Sequence, residues 1–312
     1  MNPVLAAMHR ADLIESVHTG RLVLLNPDGS IDKSWGDVEQ LVYPRSAIKC
    51  VQAAVGVEMG SRVSGPTMAL AASSHSGAPM HIQGVIEILS EAGLTVDDLQ
   101  CPPDWPLGPK EHQELLRSQG QKEPVVMNCS GKHSSWLNAC VHSGMNKSTY
   151  LDVAHPIQVQ IKKRIEELAH EEITISSVDG CGAPLHAMTL TGLARAVQGC
   201  VVAESGTSER LVVDAVRTHP EMASGVGRDV AQFMQAVSGA YAKEGAEGVQ
   251  VVALADGRAM ALKIDDGNMR ARAMITARVF EIWGVANAET EKLISTEVLG
   301  GGRSVGKFKA AF

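Results

Sequence analysis

Ser46 and Lys49 stand three residues apart in the stretch Tyr43-Pro44-Arg45-Ser46-Ala47-Ile48-Lys49. On a helix that spacing puts the lysine one turn above the serine on the same face. It is the arrangement of a Ser-Lys nucleophile pair, in which a desolvated, neutral lysine removes the hydroxyl proton. Pro44 ends the segment before it, Ser46 is a preferred helix-opening residue, and Ile48, Val51 and Val55 fall on one helical side. The opening turn of a helix also leaves free N–H groups that can hold an oxyanion. The spacing alone is weak, because S-x-x-K recurs at Ser30/Lys33 and Ser304/Lys307, and an N-capping serine with a snorkelling lysine reproduces it. Ser30 follows the turn Asn26-Pro27-Asp28-Gly29 and Ser304 lies in a Gly-rich tail. Only Ser46 opens a segment patterned for burial.

Two further stretches end apolar approaches in turns, where functional side chains are often presented. They are Asn128-Cys129-Ser130-Gly131-Lys132-His133 and Asp179-Gly180-Cys181. Two thiolates with a nitrogen donor suit a tetrahedral transition metal completed by water. Buried structural cysteines account for the same residues. If a metal is bound, His133 is the conventional nitrogen ligand, because a lysine must lose its proton before it coordinates. Ser74-His75 follows a run of small residues. Lys263 lies in the apolar strand Ala259–Ile264, where alternation turns it outward unless both faces are covered. Arg228 reads as an exposed arginine at a helix start, although it could grip a carboxylate.

The elements that must position these groups are α+β. Leu13–Val17, Arg21–Leu25 and Ser30–Trp35 read as strands, and a hairpin spans Gly248–Ala255 and Arg258–Ile264. Between them the chain is mostly helical, over about residues 46–240. One antiparallel sheet built from both chain ends, carrying a helical middle, makes residues 1–312 a single domain. Lys243-Glu244-Gly245 stands just before the late hairpin, as a K-x-G element does in serine β-lactamase and glutaminase folds. Hydrophobic content of 45%, charged content of 20% and net charge −7 describe an ordinary globular chain. The acidic balance argues against nucleic acid as a partner, and no apolar run is long enough to span a membrane. The N-terminus has no secretory pattern and the six cysteines no framework spacing, so the expectation is a cytoplasmic protein with reduced thiols.

Six motifs occur together and in order: Pro44–Lys49, Ser74–Gly77, Asn128–His133, Asp179–Pro184, Gly245–Val249 and Ala261–Gly267. With them the chain resembles the Rhizobium-etli-type L-asparaginases from about Asn2 to Trp283. The resemblance implies a serine β-lactamase/glutaminase-like fold, a homodimer, and hydrolysis of L-asparagine to L-aspartate and ammonia. It implies catalytic Ser46 and Lys49, with Ser74 and Lys263 as a second Ser-Lys pair facing inward. It also implies zinc on Cys129, Lys132 and Cys181, which makes Lys132 the nitrogen ligand and leaves Arg45, His133 and Asp179 as neighbours of the site. Ala78, Ser134-Ser135-Trp136 and the residues after Arg228 depart from the family pattern, which bears on substrate selectivity. A glutaminase, another β-lactamase-like serine amidase, or a non-catalytic zinc-binding domain are the alternatives. A penicillin-binding enzyme is disfavoured because neither S-x-N nor Y-x-N occurs.

Overall fold

The computed structural model describes all 312 residues. The chain opens with β1 (Val4–Arg10), β2 (Leu13–Leu25), β3 (Ile31–Trp35) and the short β4 (Leu41–Val42), then makes a 3-10 turn over Arg45–Ile48. Helices α1 (Lys49–Glu58), α2 (Gly65–Ala71), α3 (Pro79–Glu91), α4 (Pro109–Arg117), α5 (Ser130–His142) and α6 (Pro156–Ala169) follow. Three short strands, β5 (Ser176–Val178), β6 (Pro184–His186) and β7 (Met188–Thr189), precede α7 (Leu190–Val202), α8 (Ser208–Thr218), α9 (Pro220–Ala223) and α10 (Asp229–Ala236). The chain then returns to strands with β8 (Tyr241–Gly245), β9 (Val249–Ala253) and β10 (Ala259–Ile264). It closes with α11 (Arg272–Ile282), α12 (Ala288–Glu291), β11 (Ser295–Gly300) and β12 (Arg303–Ala310).

Both chain ends build one eight-stranded antiparallel sheet in the order β11-β12-β1-β2-β10-β9-β8, with β3 also on β2. This is the α+β arrangement expected, with the helical middle inserted between strands three and eight. Leu22–Leu25, Val249–Ala253 and Ala259–Leu262 are buried without alternation, the mark of a sheet covered on both faces. Helix α7 packs on β2, β9 and β10, while α11 packs on β1, β9 and β12. No helix is long and apolar enough to cross a membrane.

Four elements differ from expectation. Strands β1, β11 and β12 were not among the strands expected: the C-terminal hairpin is mostly exposed, and of its apolar residues only Val298 and Phe308 are buried. Pairing with β1, not an apolar pattern, makes it a hairpin. The supposed Gly-rich tail around Ser304 is therefore strand β12, and Ser304 and Lys307 are exposed on it. Lys243-Glu244-Gly245 is itself strand β8, at the sheet edge.

Helix α5 is buried from Ser130 to Cys140, so its neighbours fix it tightly. A Cβ on Gly131 would lie 2.4 Å from the Leu70 carbonyl oxygen of α2, a contact neither backbone can relieve cheaply. Gly131→Ala should therefore destabilise the protein by about 1–3 kcal/mol, read as a lower Tm with unchanged far-UV helix content.

Candidate active site

The Ser46–Lys49 stretch begins as a 3-10 turn, with α1 starting only at Lys49. The Lys49 N–H donates to the Ser46 carbonyl. In a 3-10 turn side chains at i and i+3 eclipse, which aligns the pair more closely than an α-turn would. The turn is strained at Arg45, whose φ of +50° is left-handed and costs a non-glycine residue of order 1–3 kcal/mol. Arg45 is held there by its Nε bond to Asp179 Oδ1, 2.8 Å.

Lys49 is 1% exposed. Its Nζ donates to the Ser73 carbonyl, to Ser74 Oγ at 3.0 Å and to Cys129 Sγ at 3.1 Å. Ser46 and Ser74 line one cavity of about 330 Å³ with Asn128, Arg228, Glu244 and Met269. One amine thus links the Ser73 carbonyl, the Ser74 hydroxyl and a thiol, and Ser74 shares its small-molecule-sized cavity with Ser46, whose hydroxyl is not hydrogen-bonded to Lys49.

Strand β8 forms the other wall, closer than the sequence suggested. A Cβ on Gly245 would sit 2.6 Å from the Pro44 carbonyl oxygen, so only glycine lets the strand lie against the Ser46 turn. The preceding residue pair was missed as functional. Lys243 is 1% exposed, with Nζ 3.1 Å from Glu244 Oε1, and Arg228 Nη2 reaches the same oxygen at 3.1 Å. Arg228 is therefore ion-paired and mostly covered, not the exposed helix-start residue expected. The K-x-G spacing was the available signal for Lys243; nothing in the sequence marked its burial.

Burial lowers the Lys243 pKa, Glu244 offsets part of this, and repulsion from Lys49 adds to the fall, leaving it at about 8. Burial pushes Glu244 up, but Lys243, Arg228 and Arg272 outweigh it and hold the carboxyl at about 2. The unfolded chain keeps its lysine protonated up to about 10.4, so between pH 8 and that value it binds more protons than the folded protein. Stability from this group must rise with pH through that window and be lost as pH falls to 8. In Lys243→Met the difference between wild-type and variant stability should change by roughly 1–3 kcal/mol across the window, measured by denaturant titration at each pH.

The thiol motifs converge. Helix α5 starts at Ser130, with Cys129 at its cap, so Lys132 and His133 lie in the first helical turn, not in a loop before it. Lys132 Nζ is 3.4 Å from Cys181 Sγ and lies over the Trp136 ring. Cys129 and Cys181 are free thiols that share a hydrogen bond, which lowers the Cys181 thiol well below its ordinary value and, with burial, raises Cys129. Burial pushes Lys132 down, but negative charge at Cys181, Cys129 and Asp179 outweighs it and raises its pKa. His133 bonds to Tyr150 Oη through Nδ1 at 2.7 Å, and its Nε2 is buried without a partner. Burial, then the Lys132 charge, lowers the His133 pKa to about 3. No group of three or more His, Cys, Asp or Glu side chains is placed to hold a metal. Any metal here needs the Lys132 amine as its third donor. The two thiols and that amine are a donor set that fits a borderline-soft divalent ion.

Lys263 and Ser74, expected as a pair, are not hydrogen-bonded. Ser74 belongs to Lys49, and Lys263 Nζ donates to the Ile264 carbonyl. Lys263 lines the neighbouring cavity of about 420 Å³ with Arg45, Asp179 and Glu247. The reason is topological: Lys263 is on β10, two strands from β8, which is the strand that reaches the Ser46 turn. It is half-buried as an inward-leaning residue, and burial, then Arg21, lowers its pKa.

Comparison with solved structures finds loose likenesses over most of the chain. A beta-lactamase from Mycobacterium bovis shares 12% identity, with 85% of this chain and 94% of that one covered at a TM-score of 0.48. A Bacillus glutaminase shares 11%, with 86% and 91% covered and a TM-score of 0.47. A beta-lactamase described as putative, from Bacteroides dorei, shares 15%, with 84% and 93% covered and a TM-score of 0.43. No curated protein matches in sequence. The family model described as L-asparaginase II matches residues 6–310, so the chain belongs to the L-asparaginase II family and is an asparaginase-type amidohydrolase.

Proposed function

We propose that the protein hydrolyses the side-chain amide of L-asparagine to L-aspartate and ammonia through an acyl-enzyme on Ser46. The observation that carries this reading is the buried Lys49 amine bonded to Ser74 Oγ, with Ser74 and Ser46 on the wall of one cavity. Lys49 takes the Ser46 proton as Oγ attacks the amide carbonyl. Main-chain N–H groups of the Ser46 turn and the free edge of β8 are assigned to the developing oxyanion. The Ala47 N–H is not one of them, because it is donated to the Pro44 carbonyl at 3.1 Å. The proton returns to the leaving nitrogen as the C–N bond breaks, ammonia departs, and water attacks the ester with Lys49 again as base. Ser74 relays protons at Lys49. Lys243, depressed to about 8, takes the tuning role that Lys263 was expected to fill. Lys263, with Arg45 and Asp179, supports the turn from the neighbouring cavity.

Zinc on Cys129, Lys132 and Cys181 belongs to the same proposal, and when bound it would supply a Lewis-acidic charge beside Lys49. Association as a homodimer is also proposed, and exposed Leu13, Ile14 and Val17 on β2 supply apolar surface for it. Six free cysteines suit the cytoplasm. The test is ammonia release from L-asparagine and L-glutamine by wild type and Ser46→Ala, with metal content recorded for both. Preference for glutamine would change the substrate and keep the mechanism. No release from either by folded protein would sink the reading.

A further inference from the structure

The cavity that Ser46 opens into carries a charge arrangement the acyl transfer itself does not use. Glu244 is 3% exposed. Its Oε1 is shared by Arg228 Nη2 and Lys243 Nζ, each at 3.1 Å, whereas its Oε2 is buried with no hydrogen-bond partner. A buried carboxylate oxygen left without a donor is costly and calls for an explanation. Glu244 is a wall residue of the cavity lined by Ser46 and Ser74, so a ligand there can supply the missing donor. Arg228 lines this cavity and an adjoining one of about 490 Å³ that contains Ser76 and Glu111. Its one side-chain hydrogen bond goes to Glu244, which leaves most of its five N–H donors for a ligand.

A carboxylate acceptor and a guanidinium donor side by side complement the ammonium and carboxylate of a free α-amino acid. The other acid on the cavity wall, Glu247, has a side chain 66% exposed, where water screens it. Lys243 and Arg228 make the remaining charge of the site positive. Glu244 is therefore its single buried anion.

We propose that Glu244 and Arg228 form the receptor for the substrate's backbone end. Glu244 Oε2 accepts from the α-ammonium and Arg228 donates to the α-carboxylate, which presents the side-chain amide to Ser46. The proposal rests on the amidohydrolase reading above. It predicts an enzyme for the free amino acid, one that rejects amides lacking either charged group.

Three amides separate the contributions: L-asparagine, succinamate (no α-ammonium) and 3-aminopropanamide (no α-carboxylate). Wild-type kcat/KM should favour asparagine over each analogue by at least about tenfold, the scale of one charge-assisted hydrogen bond. Glu244→Gln keeps the shape and an acceptor for Arg228. It should collapse the asparagine-to-succinamate ratio toward one and leave the asparagine-to-3-aminopropanamide ratio standing. Arg228→Gln should do the reverse, with partial recovery in Arg228→Lys. Equal loss on all three amides would mark a merely structural role and overturn the proposal. So would a wild type that turns over succinamate as well as asparagine, a comparison needing no variant and therefore independent of whether the variants fold. Wild type inactive on asparagine, glutamine and both analogues would instead overturn the amidohydrolase reading, and the subsite with it.

Discussion

Ser46→Ala should lower kcat for ammonia release from L-asparagine by at least about 10³-fold, with folding and metal content unchanged. The size follows from the role. Removing a nucleophile removes the covalent route entirely, and what remains is the rate that binding and the oxyanion site can sustain alone. Ser46 is half-buried on a cavity wall, so losing one hydroxyl there should move stability by less than about 0.5 kcal/mol. A rapid-quench trap of denatured enzyme with labelled asparagine should show an acyl adduct in wild type and none in the variant. Turnover by Ser46→Ala within tenfold of wild type would exclude the acyl-enzyme on this residue.

Lys49→Met should be nearly as damaging to turnover, about 10²–10⁴-fold, the range general-base catalysis supplies. It should leave the protein as stable or more so. Burying an amine is expensive even with partners, and Lys49 is 1% exposed; a thioether of similar length fills the space without that cost. Activity and stability moving in opposite directions would identify a functional residue, because a structural one loses both. The Ser46→Ala/Lys49→Met double variant should be no slower than the worse single one, since the two act as a unit. Additive losses in kcat would mean that Lys49 serves a different step. The variant also frees Cys129 Sγ and Ser74 Oγ, both bonded to Lys49, so metal content should be recorded beside the rate.

The groups that could do chemistry were more legible in the sequence than the sheet was. Ser46 and Lys49 follow from a local rule, residues three apart stacking on one turn, and local rules need no knowledge of the rest of the chain. The β9–β10 hairpin and the helices of the middle follow from periodicity for the same reason. The motif order placed Cys129, Lys132 and Cys181 at one point although 49 positions separate Lys132 from Cys181.

Tertiary structure decided what depends on neighbours distant in sequence. Strands β1, β11 and β12 are strands because each finds a partner edge, and pairing energy leaves no apolar signature in a mostly exposed hairpin such as β11–β12. Lys263 was assigned to Ser74 by motif, but sheet order brings β8 and not β10 against the Ser46 turn, so Lys243 is the buried second lysine. Arg228 and Glu244 lie 16 positions apart and meet only because α10 packs on β8. Residue type and spacing determined which groups could react. Desolvation and the pairing of charges, both set by packing, decided which of them stand at the cavity.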